Sequence, residues 1–122
     1  MRIYRVEMLN GSGPYHGDGS WINREYNAAL HPLPIHDGIP CYDYLSNYRF
    51  GFESFDKFKA WFNCPIELSN LHNLGYCLSV YEIDKIQVAI GFKQVVFSLQ
   101  YASLVNRIPL SEITHVIDSQ VA

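Results

Sequence analysis

The sequence predicts an α+β fold, a mainly antiparallel sheet with two central helices, in one domain spanning residues 1–122. Three observations predict it. The chain opens on a strand-like run, two helical stretches follow one another with no strand between them, and short β-like runs crowd the last third. Helices segregated from strands, instead of alternating with them, favour α+β over a parallel α/β arrangement. A chain of 122 residues is near the commonest length of a single domain and long enough to bury one real core.

Each element has its own warrant. Residues 2–8 alternate, with Ile3, Arg5 and Glu7 on one side and Arg2, Tyr4, Val6 and Met8 on the other. The run stops at Asn10-Gly11-Ser12-Gly13-Pro14, a dense cluster of turn formers. Residues 11–47 show no sustained period; a stretch that long inside a compact domain is usually functional or flexible, and Tyr15, Trp21, Tyr26, Tyr42 and Tyr44 indicate that it packs down. A short helical turn fits residues 23–30.

The first helix begins after Ser54, a good N-cap, with Phe55, Phe58, Trp61 and Phe62 on one face. The second begins at Pro65 and runs to about residue 73, with Leu68, Leu71 and Leu74 as its buried stripe and Gly75 as its stop. Residues 76–83 alternate as a strand, Asp84 and Lys85 turn the chain, and strands are expected over 86–90 and 93–99. Val95, Val96 and Phe97 in succession read as a strand covered on both faces. Residues 113–117 alternate as a last short strand.

Composition narrows the function. Charged residues make up only 17% of the chain against 15% aromatics, which excludes disorder and leaves aromatic surface exposed for a protein partner or a homo-oligomer. A net charge of −3 with nine Lys and Arg spread along the chain argues against duplex nucleic acid. No apolar run approaches a membrane span and the start lacks a signal-peptide core, so the expected place is the cytosol, with no membrane contact. Cys41, Cys64 and Cys77 form no C-x-x-C pair and are expected to be reduced, partly buried thiols.

Candidate chemistry is sparse. His31 and His36, beside Asp37, are separated by prolines that forbid a helical ligand pair, so no metal is expected. No cofactor motif occurs: Gly11 and Gly13 belong to neither a dinucleotide fingerprint nor a P-loop, although the loop running into Tyr15 and His16 has N–H groups that suit an anion. Arg5 stands out as a charge in mid-strand. It must be paired if it points inward, with Glu7 or Glu82 as the structural partner, or it holds a phosphate or carboxylate with its planar fork. Tyr15, Phe50 and Tyr81 offer stacking surfaces for a base.

Two resemblances attach to these residues. The string IYRVE…GSGPY…HPLPIHDG…FGFESFDKFKAWF…LHNLGYCLSVYEID…GFKQVVF resembles a family of small phage and prophage proteins of unassigned function, over nearly the whole chain. That resemblance implies a viral accessory protein in the cytosol of the host, a class rich in inhibitors of host defence, and brings no catalytic residue with it. More weakly, Arg5 on a first strand, then LSVYEID, KQVVFS and RIPLSEIT, is similar to the ADP-ribosyltransferase layout. There an Arg on the first strand holds the dinucleotide and a late Glu stabilises the transition state; here the matching position is Gln94, which cannot polarise a ribose hydroxyl as a carboxylate does.

Together these readings imply a non-enzymatic binder of a nucleotide-type signal, with Arg5, Tyr15, His16, Phe50, Tyr81 and Gln94 as ligand contacts and no catalytic residue. Two alternatives stand beside it. One is a mono-ADP-ribosyltransferase using Arg5 with Glu82 or Glu112. The other is an inhibitor that binds a host defence protein through exposed aromatics, in which Arg5 is merely salt-bridged.

Overall fold

The computed structural model describes residues 1–14 and 33–113. Strand β1 (Arg2–Met8) is followed, after a 3-10 turn at Pro34–Asp37, by strand β2 (Tyr48–Gly51). Helices α1 (Phe55–Trp61) and α2 (Pro65–Asn73) come next. Strands β3 (Tyr76–Glu82), β4 (Val88–Ile90), β5 (Val95–Ser98) and β6 (Ser103–Pro109) complete the order. The fold is α+β with antiparallel pairing throughout, as the sequence predicts, but the strands make two sheets. Sheet A has the order β1-β3-β6 and sheet B the order β2-β5-β4.

Strand alternation decides how the layers stack. The even face of β1 and β3 carries Val6 and Leu78, which pack with Phe58, Trp61, Phe62, Leu68 and Leu71 from the two helices. The odd face carries Ile3 and Tyr81, which pack with Val95 and Phe97 of sheet B. Over β1 and β3, sheet A therefore lies between helices and sheet B, and both of these strands are covered on both sides. Val96 points the other way, onto Ile39 and Leu45, so residues 39–45 cover the outer face of sheet B. The two sheets touch through backbone: Tyr4 and Phe52 exchange N–H···O bonds of 2.8 Å. That approach explains Gly51, where a Cβ would stand 2.7 Å from Ile3 Cγ2 and 2.9 Å from the Tyr4 carbonyl.

The helices follow their sequence signals. Ser54 Oγ accepts from the Lys57 N–H at the start of α1, and Pro65 occupies the first turn of α2. Gly75, with φ of 98°, stops α2. Leu74 departs from the expected stripe: it is the C-cap residue, outside the helical spacing that buries Leu68 and Leu71, and is mostly exposed.

Four further departures have local causes. Residues 86 and 87 form a 3-10 turn instead of opening a strand, because Asp84 caps that turn by accepting from the Ile86 N–H. The expected strand over 93–99 is shortened to β5 because the backbone N–H groups of Lys93 and Gln94 are spent on Asp37. Strands β2 and β6 are additions to the expected elements: β2 alternates Tyr48, Phe50 and Phe52 with Arg49, Gly51 and Glu53 but is only four residues long, whereas β6 lacks any simple alternation, is exposed along nearly its whole length and bulges against β3 at Val80/Tyr81. Residue 113 lies in a helical turn over 110–113, not at the start of a strand, because Leu110 and Ile113 drop together into the helix-side core after Pro109. The remainder of that expected strand, and the helical turn expected at 23–30, fall outside the described residues.

Candidate functional site

Arg5 and Glu7 lie on the odd face of β1, as read from the sequence, and both are buried. The Arg5 Nε–H donates to Glu7 Oε1 at 2.9 Å, so Glu7, not Glu82, is the partner. The Arg5 terminal nitrogens donate to two carbonyls, Nη1 to Phe50 O at 2.8 Å and Nη2 to Gly11 O at 3.0 Å. Three of the five guanidinium N–H groups are thereby committed to described acceptors. Burial pulls the Arg5 pKa below its ordinary value, against the opposing pull of Glu7. Tyr81, from β3, donates its hydroxyl to Glu7 Oε2 at 2.5 Å. Burial first, and that hydrogen bond second, push the Tyr81 pKa up to about 12.

The Gly11–Pro14 loop behaves opposite to an anion nest. The Gly11 N–H donates to Met8 O and the Ser12 N–H to Asn10 Oδ1, while the Gly11 carbonyl receives Arg5. A loop that turns carbonyls inward reads a cation. The N–H groups of Gly11 and Ser12 are spent on closing the turn, while Tyr15 and His16, into which the anion-binding loop was expected to run, fall outside the described residues.

Two more arginines join Arg5. Arg5 faces Ser79, and Ser79 faces Arg107 across β3 and β6, so the three share one face of sheet A. Arg49 pairs with Phe97, whose ring lies 5.6 Å from that of Tyr81; it therefore projects from sheet B toward the same region. The charges of Arg49 on Arg5, and of Arg107 on Tyr81, register in both pKa shifts. Among the described residues neither Arg49 nor Arg107 has a carboxylate partner. Sequence reasoning overlooked both: β2 is only four residues long, although Tyr48, Phe50 and Phe52 alternate with Arg49, Gly51 and Glu53, and β6 shows no alternation.

Gln94 belongs to a different cluster. Its N–H donates to Asp37 Oδ2 at 2.9 Å, its carbonyl accepts from Gly91, and Lys93 N–H reaches both Asp37 oxygens at 2.9–3.0 Å. Glu82 lies on the even face of sheet A, opposite Arg5, and binds Arg2 and the amino terminus. Glu112 is exposed in the helical turn at 110–113. His36 is exposed in its 3-10 turn, and among the described residues no group of three His, Cys, Asp or Glu gathers as a metal site. Cys77 and Cys64 are half-buried, whereas Cys41 is exposed, against expectation, because the turn around it lies on the surface. Tyr15, His16 and His31 fall outside the described residues.

Phe50 contributes its carbonyl to Arg5, but its ring faces the other way. With Tyr42 and Tyr48 it forms a trio of rings 4.9–5.9 Å apart and nearly perpendicular, at 74–77°. Tyr44, 67% exposed, follows in the same segment, and Phe92, 79% exposed, stands against Gly38. A shallow groove of about 320 Å³, lined by Leu33, Ile35, Pro40, Cys41 and Asp43, adjoins Tyr42.

The arrangement defines a small α+β protein with a closed Arg–Glu–Tyr cluster on one side and an open aromatic face on another. A family model for the Bacteriophage T4 Y00F protein matches residues 1–111, and the chain belongs to that phage protein family. This agrees with the resemblance to small phage proteins. No curated protein and no solved structure matches the chain, so the ADP-ribosyltransferase layout gains no support. Among the described residues no helix is long and apolar enough to cross a membrane.

Proposed function

We propose that this phage protein is a non-catalytic accessory protein that counters a host defence in the cytosol by binding one of its proteins, through the aromatic face around Tyr42, Tyr48 and Phe50. One observation carries the reading: the charged constellation on β1 and β3 is closed on itself, while the aromatic one is open. Arg5, Glu7 and Tyr81 satisfy one another and the adjacent carbonyls. Tyr and Phe rings held edge to face lose little freedom on binding, and aromatic residues dominate the energetics of protein contacts. The experiment is affinity capture from the phage's host with the wild-type protein and with Tyr48→Ser/Phe50→Ser. A host defence protein held by the wild type and lost from the folded variant supports the reading. Equal capture by both overturns it.

A second reading keeps a nucleotide-type signal as the ligand, beside Arg5 and Tyr81, with Tyr15 and His16 as further contacts and without the Phe50 ring and Gln94, which lie elsewhere. What favours it is that Arg49 acts on Arg5 and Arg107 on Tyr81, and that among the described residues neither Arg49 nor Arg107 has a carboxylate partner. A thermal-shift panel of dinucleotides, ADP-ribose and cyclic oligonucleotides tests it, and a flat panel removes it.

A further inference from the structure

We propose that Arg49 and Arg107, flanking Arg5 from β2 and β6, form a site for the phosphate groups of an anionic ligand. The proposal rests on the second reading for its ligand class but moves the charged contacts off Arg5. The row Arg5–Ser79–Arg107 crosses three adjacent strands, so its ends lie about 10 Å apart at ordinary strand spacing. Arg49 enters from sheet B beside Arg5, whose Nη1 already reaches the carbonyl of the next residue, Phe50.

Charge makes the case. Arg49 is close enough for its charge to act on Arg5, and Arg107 for its charge to act on Tyr81, while the described carboxylate there, Glu7, is occupied by Arg5 and Tyr81. Nearby acids are engaged elsewhere: Glu53 with Lys57, and Glu82 with Arg2 and the amino terminus. Arg49 spends Nη1 on Asn47 Oδ1 and the Tyr48 carbonyl, which fixes its stem and leaves the rest of the fork for a ligand. Arg107 is exposed on the face of Ser79. The planar guanidinium fork matches phosphate oxygens, and a bound phosphate relieves the repulsion between Arg49 and Arg5. Arg5, buried and bonded on all three nitrogens, adds its charge without needing to touch the ligand.

The test is calorimetric titration with inorganic phosphate, then with ADP-ribose, on the wild type and on Arg49→Gln/Arg107→Gln, at constant ionic strength set with chloride. Arg107 is exposed and Arg49 half-buried, and circular dichroism and the thermal midpoint check that the variant folds. The expected result is phosphate binding by the wild type that falls about tenfold or more for each guanidinium removed. Unchanged phosphate affinity in the variant, or no phosphate binding by the wild type above the chloride control, overturns the site. If phosphate binding is lost in the variant but ADP-ribose binds the wild type no better than phosphate, the site stands and the nucleotide reading falls. ADP-ribose binding that survives in the variant overturns the site and leaves the nucleotide reading standing.

Discussion

Glu7 and Asp37 are buried to the same degree, 1% and 2% exposed, yet the molecule neutralises them by different means. Glu7 is held by side chains, a guanidinium on one oxygen and a phenol on the other. Asp37 is held by backbone, the N–H groups of Lys93 and Gln94, while its own carbonyl accepts from Phe92. A buried carboxylate needs donors, and either a counter-charge or a turn of aligned amides supplies them. The first solution ties two strands of sheet A together. The second pins an irregular segment to the turn before β5. The difference predicts how each site fails.

Glu7→Ala is expected to have the largest effect. It leaves Arg5 charged, buried and without its carboxylate, a loss of about 3–5 kcal/mol in unfolding free energy. Urea denaturation at neutral pH measures it. A loss below 1 kcal/mol would mean that the Phe50 and Gly11 carbonyls suffice for Arg5 and that the ion pair is incidental.

Asp37→Ala comes next. No charge is stranded, but the buried Gln94 N–H and the partly buried Lys93 N–H lose their acceptor, at about 2–3 kcal/mol in all. The damage is expected to be local. Hydrogen exchange at the Lys93 and Gln94 amides speeds up while that of β1 and β3 amides keeps pace only with the global loss. Uniform acceleration across the whole chain would break the comparison, because it would make Asp37 as central to the fold as Glu7.

The same contrast explains what was legible in the sequence. Arg5 with Glu7 two residues on, in a strand, puts both on one face, so Glu7 was legible as one of two candidate partners, and the register of β3 removes the other, Glu82. Helices α1 and α2 announced themselves through Ser54, Pro65 and the spacing of Phe58, Trp61, Leu68 and Leu71. Asp37 could not be placed, because its donors are backbone amides 56 and 57 residues away, and an amide leaves no mark on composition. The one trace is Gly91, where a Cβ would lie 2.6 Å from Asp37 Oδ2, and a lone glycine does not say what approaches it. Strand β6 was hidden for another reason: exposed on both faces, it has no buried period to show. Its row partner Arg107, and Arg49 on the four-residue β2, went unread with their strands, so Arg5 was the one arginine among the six contacts the sequence suggested.

Tyr81→Phe is expected to have the smallest effect and the clearest pH signature. It removes one hydrogen bond to a buried carboxylate, about 1–2 kcal/mol at neutral pH, without opening a cavity. The sign of the pH dependence follows from the direction of the shift. The Tyr81 pKa is pushed up to about 12 in the fold, against about 10 for an unfolded tyrosine. The native state therefore holds the phenolic proton more tightly, so this contribution is complete below about pH 10 and is lost as pH rises toward about 12. Ionising Tyr81 would place a second negative charge against Glu7, which is why the fold resists it. Wild type and variant should thus differ in denaturation midpoint at pH 8 and converge between pH 10 and 12. Parallel curves over that range would mean that the phenol is not what holds Glu7, and the side-chain solution would reduce to Arg5 alone.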